Sequence, residues 1–247
     1  MIENIVLLTS TIQPKVDQPQ LVLSNPLERL EDYRKALAFY SGLLNENIIQ
    51  KIVFVDNSNY DLEALRVEFP NPAIEFISFY GLDYSSTFHR GYGEFKLVDY
   101  AFEHATFLNK CDVDAVIWKV SGRYIVKNFK TVIKFTPKSF DLYLDTRKNW
   151  IEMSVMAWSK LGYNKVIKHV CEEFKTGMAP ELILAKKFKL AISDGAKIVN
   201  PFVWPTYLIA RRGTDGKYFE NRFTPIKFLI KALVLLIIWP VRYFLGK

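Results

Sequence analysis

Apolar residues fall along this chain at two alternating spacings. Short, mainly apolar runs occur at Ile5 to Leu8, Lys51 to Val55, Ala73 to Phe79 and Ala115 to Trp118, and read as strands. Between them the apolar positions return at helical spacing. Leu27, Leu30, Tyr33, Leu37, Tyr40 and Leu44 form one such stripe, and a shorter one covers Leu62 to Val67. Phe95, Leu97, Val98, Ala101, Phe102 and Ala105 form a third. The alternation predicts a βαβαβ order over the first hundred or so residues, hence an α/β fold: a mostly parallel sheet with helices on both faces.

After Tyr124 the pattern is less regular. It predicts strands over Phe129 to Phe135 and Phe140 to Leu144, then helices over Trp150 to Leu161, Lys165 to Phe174 and Glu181 to Phe188. There is no internal repeat and no low-complexity linker, so one domain is the simplest division. The final stretch, Phe228 to Leu245, is apolar except for Lys231 and Arg242. Its uninterrupted core, Ala232 to Val241, is shorter than the roughly 20 apolar residues that a spanning helix needs. Lys227, Lys231, Arg242 and other cations surround it, and Trp204, Trp239 and Tyr243 add amphipathic aromatics. Residues 223–247 therefore read as an amphipathic helix lying on an anionic membrane surface, with Lys227, Lys231, Trp239 and Arg242 as contacts. A buried core helix is the alternative.

Composition narrows the class. With 247 residues, 50% of them apolar, the chain can bury a large core, and wholesale disorder is excluded. A net charge of +7 suits anionic partners of several kinds without choosing among them. Cys111 and Cys171, the only cysteines, give neither a disulfide framework nor zinc-ribbon spacing. The opening MIENIVLLTS has no basic residue ahead of its apolar run and reads as a first core strand. The aromatics lie mostly within apolar runs, as core residues do, so no nucleic-acid partner is expected.

Candidate chemistry sits at the strand ends. Thr9, Ser10 and Thr11 follow the first strand and can hydrogen-bond a ligand or cap the turn. Asp56, Asn57 and Ser58 follow the second, where a carboxylate can take two donors from a base or ribose, or an Asx-type turn can form. Arg90, Gly91, Gly93 and Glu94 read as a polar glycine loop opening a helix, suited to close approach by a phosphate, although it lacks the third glycine of a dinucleotide fingerprint. Lys119, Ser121 and Arg123 end the next strand, where a guanidinium can grip a diphosphate. His89, His104 and His169 have no zinc-type spacing and read as structural or exposed.

In their order, IVLLTST, KIVFVDNSNYD, RGYGEFKLVDYAFEHA and DAVIWKVSGRY resemble the nucleotide-sugar half of GT-A glycosyltransferases, of the type that builds bacterial surface polysaccharide such as lipopolysaccharide O-antigen or capsule. The resemblance covers roughly residues 1–130. It implies a GT-A-like, Rossmann-like domain over residues 1–222, with residues 1–130 as nucleotide-sugar half and 131–222 as acceptor half. Where that family carries a metal-binding D-x-D, this chain has Val120-Ser121-Gly122-Arg123, and the D-x-D spacing of Asp112 and Asp114 precedes the strand. The resemblance therefore implies transfer without a divalent metal, or a donor with one phosphate, with Lys119, Arg123 and Arg90 supplying positive charge. An acceptor base is expected from Asp141, Asp145, Glu152, Glu172, Glu173 or Glu181. Glu181 and Glu173 are favoured, since the resembled fold places its base near the start of a late helix, and Asp145 is kept beside them. The expected activity is transfer from a nucleotide-sugar donor to a lipid-linked glycan acceptor at the cytoplasmic face of the inner membrane. Nucleotidyl transfer to a sugar phosphate, or a non-enzymatic basic peripheral membrane or nucleic-acid-binding role, is the alternative.

Overall fold

The computed structural model describes residues 2–15, 21–147, 149–213, 215–218 and 224–245. Strand β1 (Asn4–Ser10) leads to helix α1 (Pro26–Asn45), β2 (Lys51–Asp56), α2 (Glu63–Glu68) and β3 (Ile74–Ser78). Helix α3 (Gly91–His104) and the short α4 (Thr106–Asn109) then return the chain to β4 (Val116–Ser121). The second half holds β5 (Ile125–Val126), α5 (Phe129–Lys134), β6 (Leu142–Arg147) and β7 (Trp150–Ser159). A helical turn α6 (Lys160–Gly162), a π-helical turn (Tyr163–Ile167) and a 3-10 turn (Val170–Phe174) precede α7 (Pro180–Ser193). Strands β8 (Ile198–Val199) and β9 (Leu208–Ile209) and helix α8 (Thr224–Leu245) complete it.

Among the described residues seven strands make one sheet in the order β3-β2-β1-β4-β7-β6-β8. Strands β3, β2, β1 and β4 are parallel, and β7 runs antiparallel to both β4 and β6. Side-chain alternation fills both faces, because a strand points successive residues to opposite sides. Ile5, Leu7, Val53, Val55 and Ile117 join α3 and α7 in one core, whereas Val6, Leu8, Ile52, Phe54 and Trp118 join α1 and α5 in the other. The expected mixed, mostly parallel sheet with helices on both faces is thus present, and it continues through both halves of the chain.

Three expectations change. Phe129–Phe135, read as a strand, is helix α5: Phe129 and Val132, three apart, are buried against the α1-side core. Trp150–Leu161, read as a helix, is strand β7, since its apolar residues fit both periods and the free edges of β4 and β6 supply ladder partners. Lys165–Phe174 is not one helix. His169 adopts a left-handed φ of 60° between two helical turns, and buried Asp99 accepts its N–H at 3.1 Å and the Tyr163 hydroxyl at 2.7 Å.

At the sheet's far end, Lys231 on α8 pairs with buried Asp145 on β6, and Ala232 and Leu235 are buried. No described helix is long and apolar enough to cross a membrane. Ile226, Leu229, Ile230 and Leu233, at successive helical spacings, leave one apolar stripe of α8 exposed, with Lys227 exposed beside it. The side chains of Trp239 and Arg242 lie outside the described residues.

Candidate active site

Strand β1 lies between β2 and β4, so the chain leaves it in one direction toward β2 and returns on its other side at β4. A crevice opens at the carboxyl ends of strands where the order reverses in this way. Here it is lined by Thr9, Ser10 and Thr11 from β1, Asn57 after β2, Ser121, Gly122 and Arg123 from β4, and Gly91, Gly93 and Glu94 from α3. Gly122 is required by close approach: a Cβ there would meet the Thr9 carbonyl oxygen at 2.7 Å, and its N–H donates to that oxygen at 2.8 Å.

Arg90 also lines the cleft, exposed and with no side-chain partner among the described residues. The neighbouring glycines do not form a loop. Gly91 and Gly93 are buried in the first turn of α3, and their bareness serves packing. A Cβ on Gly91 would meet the Pro180 ring at 2.5 Å, and one on Gly93 the Tyr84 hydroxyl at 2.5 Å. The first contact brings the N-terminus of α7, and with it Glu181, against the N-terminus of α3.

Asp56 and Ser58 do not line the cleft. Asp56 is wholly buried and its carboxylate is saturated from within. One oxygen accepts from Ser10 Oγ at 2.9 Å and Ile12 N at 2.8 Å, and the other from Ser58 N at 2.8 Å and Ser58 Oγ at 2.5 Å. It ties the loops after β1 and β2 together and has no acceptor left for a base or ribose. Asn57 beside it lines the cleft but is itself buried, accepting from Thr11 Oγ1 at 2.7 Å and donating to the Gly93 carbonyl at 3.4 Å.

Lys119 lies beneath the cleft rather than in it. The ammonium is fully buried, paired with Glu94 and donating to the Met153 carbonyl at 2.7 Å. Ser121 Oγ donates to the same Glu94 oxygen at 3.2 Å. A buried cation is tolerated only when paired and hydrogen-bonded in this way. Where the resembled glycosyltransferases carry D-x-D, this chain has Val120-Ser121-Gly122-Arg123, with Lys119 buried beneath. Asp112 and Asp114 are exposed in the turn before β4. Among the described residues no three His, Cys, Asp or Glu side chains are grouped to share a metal. Arg123 lines the cleft from one side, 3.6 Å from Asp32 and donating to the Arg211 carbonyl at 3.3 Å.

Of the expected bases, Glu181 lines the cleft and the other two do not. Burial, chiefly, pushes its carboxyl above the usual range; Glu94 and Glu152 add to the rise and Arg90 opposes it. Glu173 is ion-paired with Lys187 at 2.5 Å, away from the cleft. Asp145 is paired with Lys231 of α8 and does not line the cleft. Exposed helix-turn and buried strand positions compete for the same residue type, and only the packing separates them.

Several lining residues were not singled out from sequence. Leu144 pairs with Met156 and Thr146 with Ile151, so Glu152, Met153 and Ser154 bulge from the β6–β7 ladder into the cleft. Glu152 accepts from Ser154 Oγ at 2.6 Å and from Ser154 N at 3.3 Å. The period-2 apolar positions Ile151, Met153 and Val155 were the available signal. His89 lines the cleft too, with Nδ1 accepting from Gly91 N at 3.1 Å. Burial, with Arg90 adding to it, holds the imidazole below the usual histidine range, so neutral His89 carries its proton on Nε2. Arg29 is buried beside the cleft, bonded to the Thr11 and Leu23 carbonyls and to Tyr33.

No protein-family model matches this chain, and no curated protein matches it. Among solved structures it is similar to a protein from Desulfovibrio desulfuricans G20 assigned as a nucleotide-diphospho-sugar transferase, at 14% identity and a TM-score of 0.50, over 83% of this chain and 84% of that one. Weaker likenesses are to a 4-diphosphocytidyl-2C-methyl-D-erythritol synthase (TM-score 0.44, 8% identity, 95% and 100% coverage) and to a Bacillus anthracis protein assigned as a glucose-1-phosphate thymidylyltransferase (0.43, 10%, 94% and 95%). At such identities likeness speaks of architecture alone. The chain shares the fold of that Desulfovibrio protein.

Proposed function

We propose that this protein is a glycosyltransferase that takes a sugar from a nucleotide donor and passes it to a lipid-linked glycan. The observation that carries the reading is the meeting, at the β1/β4 crevice, of an unpartnered Arg90 with a desolvated Glu181. A leaving phosphate needs a cation, and an acceptor hydroxyl needs a base. In the transfer step Glu181 takes the proton of the acceptor hydroxyl as its oxygen bonds to the anomeric carbon. The anomeric C–O bond to phosphate breaks, and the nucleotide leaves with the electron pair toward Arg90 and Arg123. Asn57, Thr9 and Thr11 line the part of the cleft that would take the nucleoside.

The exposed stripe of α8 supports the acceptor assignment. Ile226, Leu229, Ile230 and Leu233, flanked by Lys227, suit an anionic leaflet, and a helix there keeps the cleft beside a lipid-carried substrate. The location proposed is the cytoplasmic face of the inner membrane. Deleting residues after Phe223 is expected to leave donor hydrolysis intact and to abolish both vesicle binding and transfer to a lipid acceptor.

Calorimetric titration of the full chain with UDP-, GDP-, CMP- and dTDP-sugars, with and without Mg²⁺, tests the donor half. Metal-independent binding of one nucleotide class is expected; strict metal dependence would sink the charge assignment. Nucleotidyl transfer uses the same fold and predicts instead pyrophosphate release from a nucleoside triphosphate and a sugar phosphate. The loop after β1, Thr9 to Lys15, contains no glycine to wrap a triphosphate, which favours the glycosyl reading.

A further inference from the structure

One wall of the cleft is chemically one-sided. Glu94 on α3, Glu152 on the β7 bulge and Glu181 on α7 all line it, and the first two act electrostatically on the Glu181 carboxyl. Glu94 is held by one oxygen, Oε1, which takes Lys119 and Ser121 from beneath. Glu152 is likewise held by Oε1, through Ser154. The other oxygen of each has no donor among the described residues. These carboxylates are thus fixed in place with an acceptor in reserve.

An ionised carboxylate accepts hydrogen bonds and donates none. The wall therefore matches a group that presents several O–H donors and carries no negative charge. Arg90 is the one unpartnered cation among the described residues lining the cleft, and the diphosphate claims it. We propose that the transferred group is a neutral, hydroxyl-rich sugar, and that Glu94 and Glu152 set this specificity by rejecting uronic acids. Like charges brought together at a desolvated site are costly, so a wall of this sign discriminates by repulsion as well as by fit. The inference rests on the transferase reading and deepens it.

The test compares matched donors on the full chain: UDP-glucose with UDP-glucuronate, and GDP-mannose with GDP-mannuronate, by calorimetric binding and donor hydrolysis. The hexose is expected to be preferred by about tenfold or more for the nucleotide that binds. Glu152→Gln and Glu94→Gln keep shape and remove charge, and each is expected to narrow the ratio by about tenfold while weakening hexose binding only severalfold. Should loss of the Lys119 partner unfold the Glu94 variant, Glu152→Gln decides alone, because among the described residues Glu152 is bonded to Ser154 alone. Glu173→Gln, outside the cleft, should leave the ratio unchanged. Equal handling of hexose and uronate, uronate preference through Arg90, or a ratio unmoved in Glu152→Gln would each overturn the specificity and leave the donor reading standing. Failure of every nucleotide and nucleotide sugar to bind would overturn both.

Discussion

Two acidic sites border the same cleft and are built on opposite plans. At the end of β2, Asp56 is wholly buried and takes hydrogen bonds on both oxygens from Ser10, Ile12 and Ser58. At the start of α7, Glu181 lines open space, carries a raised pKa and has no side-chain hydrogen-bond partner among the described residues. Asp56 is wholly buried and saturated, whereas Glu181 is half-buried and unsatisfied. An acid whose lone pairs are all used is a staple that shapes the rim. One that is desolvated without being satisfied is ready to take a proton.

The strongest way to break that contrast is Glu181→Gln. Loss of a general base costs about 10² to 10⁴ in rate, so kcat should fall by that factor with little change in KM or thermal midpoint. The pH profile checks the same assignment independently. A base works only when ionised, so the rate falls as pH drops through the Glu181 pKa. Because burial holds that pKa above the ordinary 4.5, the acidic limb should lie above pH 4.5 and vanish in the Gln variant. A variant that keeps its rate would remove Glu181 from the chemistry.

Asp56→Ala should do the reverse, harming the fold more than the chemistry of any folded fraction. It leaves buried donors on Ser10, Ile12 and Ser58 without an acceptor, a loss of about 3 kcal/mol. Denaturant midpoints at constant m-value read it directly. A change below about 1 kcal/mol would mean that the loop reorganises, and the description of Asp56 as a staple would fail.

A smaller effect is expected at Asp145, an acid of the staple kind that ties α8 to β6. Lys231→Met removes its partner and should loosen α8, costing about 1 to 2 kcal/mol because the lysine is only half-buried. Limited proteolysis near residue 224 reports the release, while donor hydrolysis stays within about twofold. A fall in hydrolysis matching that of Glu181→Gln would return Asp145 to the catalytic candidates.

The contrast also explains what sequence could and could not reveal. The parallel half was legible because its strands are mainly apolar runs followed by polar turns, as in IVFV before Asp56. Thr9, Ser121, Arg123 and Arg90 were legible as cleft residues for the same reason, since strand ends and helix starts in such a sheet face one crevice. The antiparallel half was not. Trp150 to Ser159 carries apolar residues that satisfy both periods, and the free edges of β4 and β6, which no local pattern records, decide for a strand. With that strand mistaken for a helix, the bulge carrying Glu152 into the cleft could not be seen. Nor does sequence distinguish an aspartate that meets a ligand from one saturated by its own loops, as Asp56 shows.

Glu173→Gln is the smallest expected effect and sharpens the comparison most cheaply. Glu173 and Glu181 are eight residues apart along the chain, and both are candidates for the base from sequence. Glu173 sits at the surface, paired with Lys187 by an exposed contact of the kind that contributes little. Its replacement should shift stability by no more than about 0.5 kcal/mol and kcat by less than about twofold. What separates the two glutamates is the contact between Gly91 and the Pro180 ring, which draws the α7 terminus against α3 and leaves Glu173 outside. Gly91→Ala should therefore lower kcat in the direction of Glu181→Gln while Glu173→Gln does not. If both variants behave alike, the positioning of the base by that helix junction is wrong.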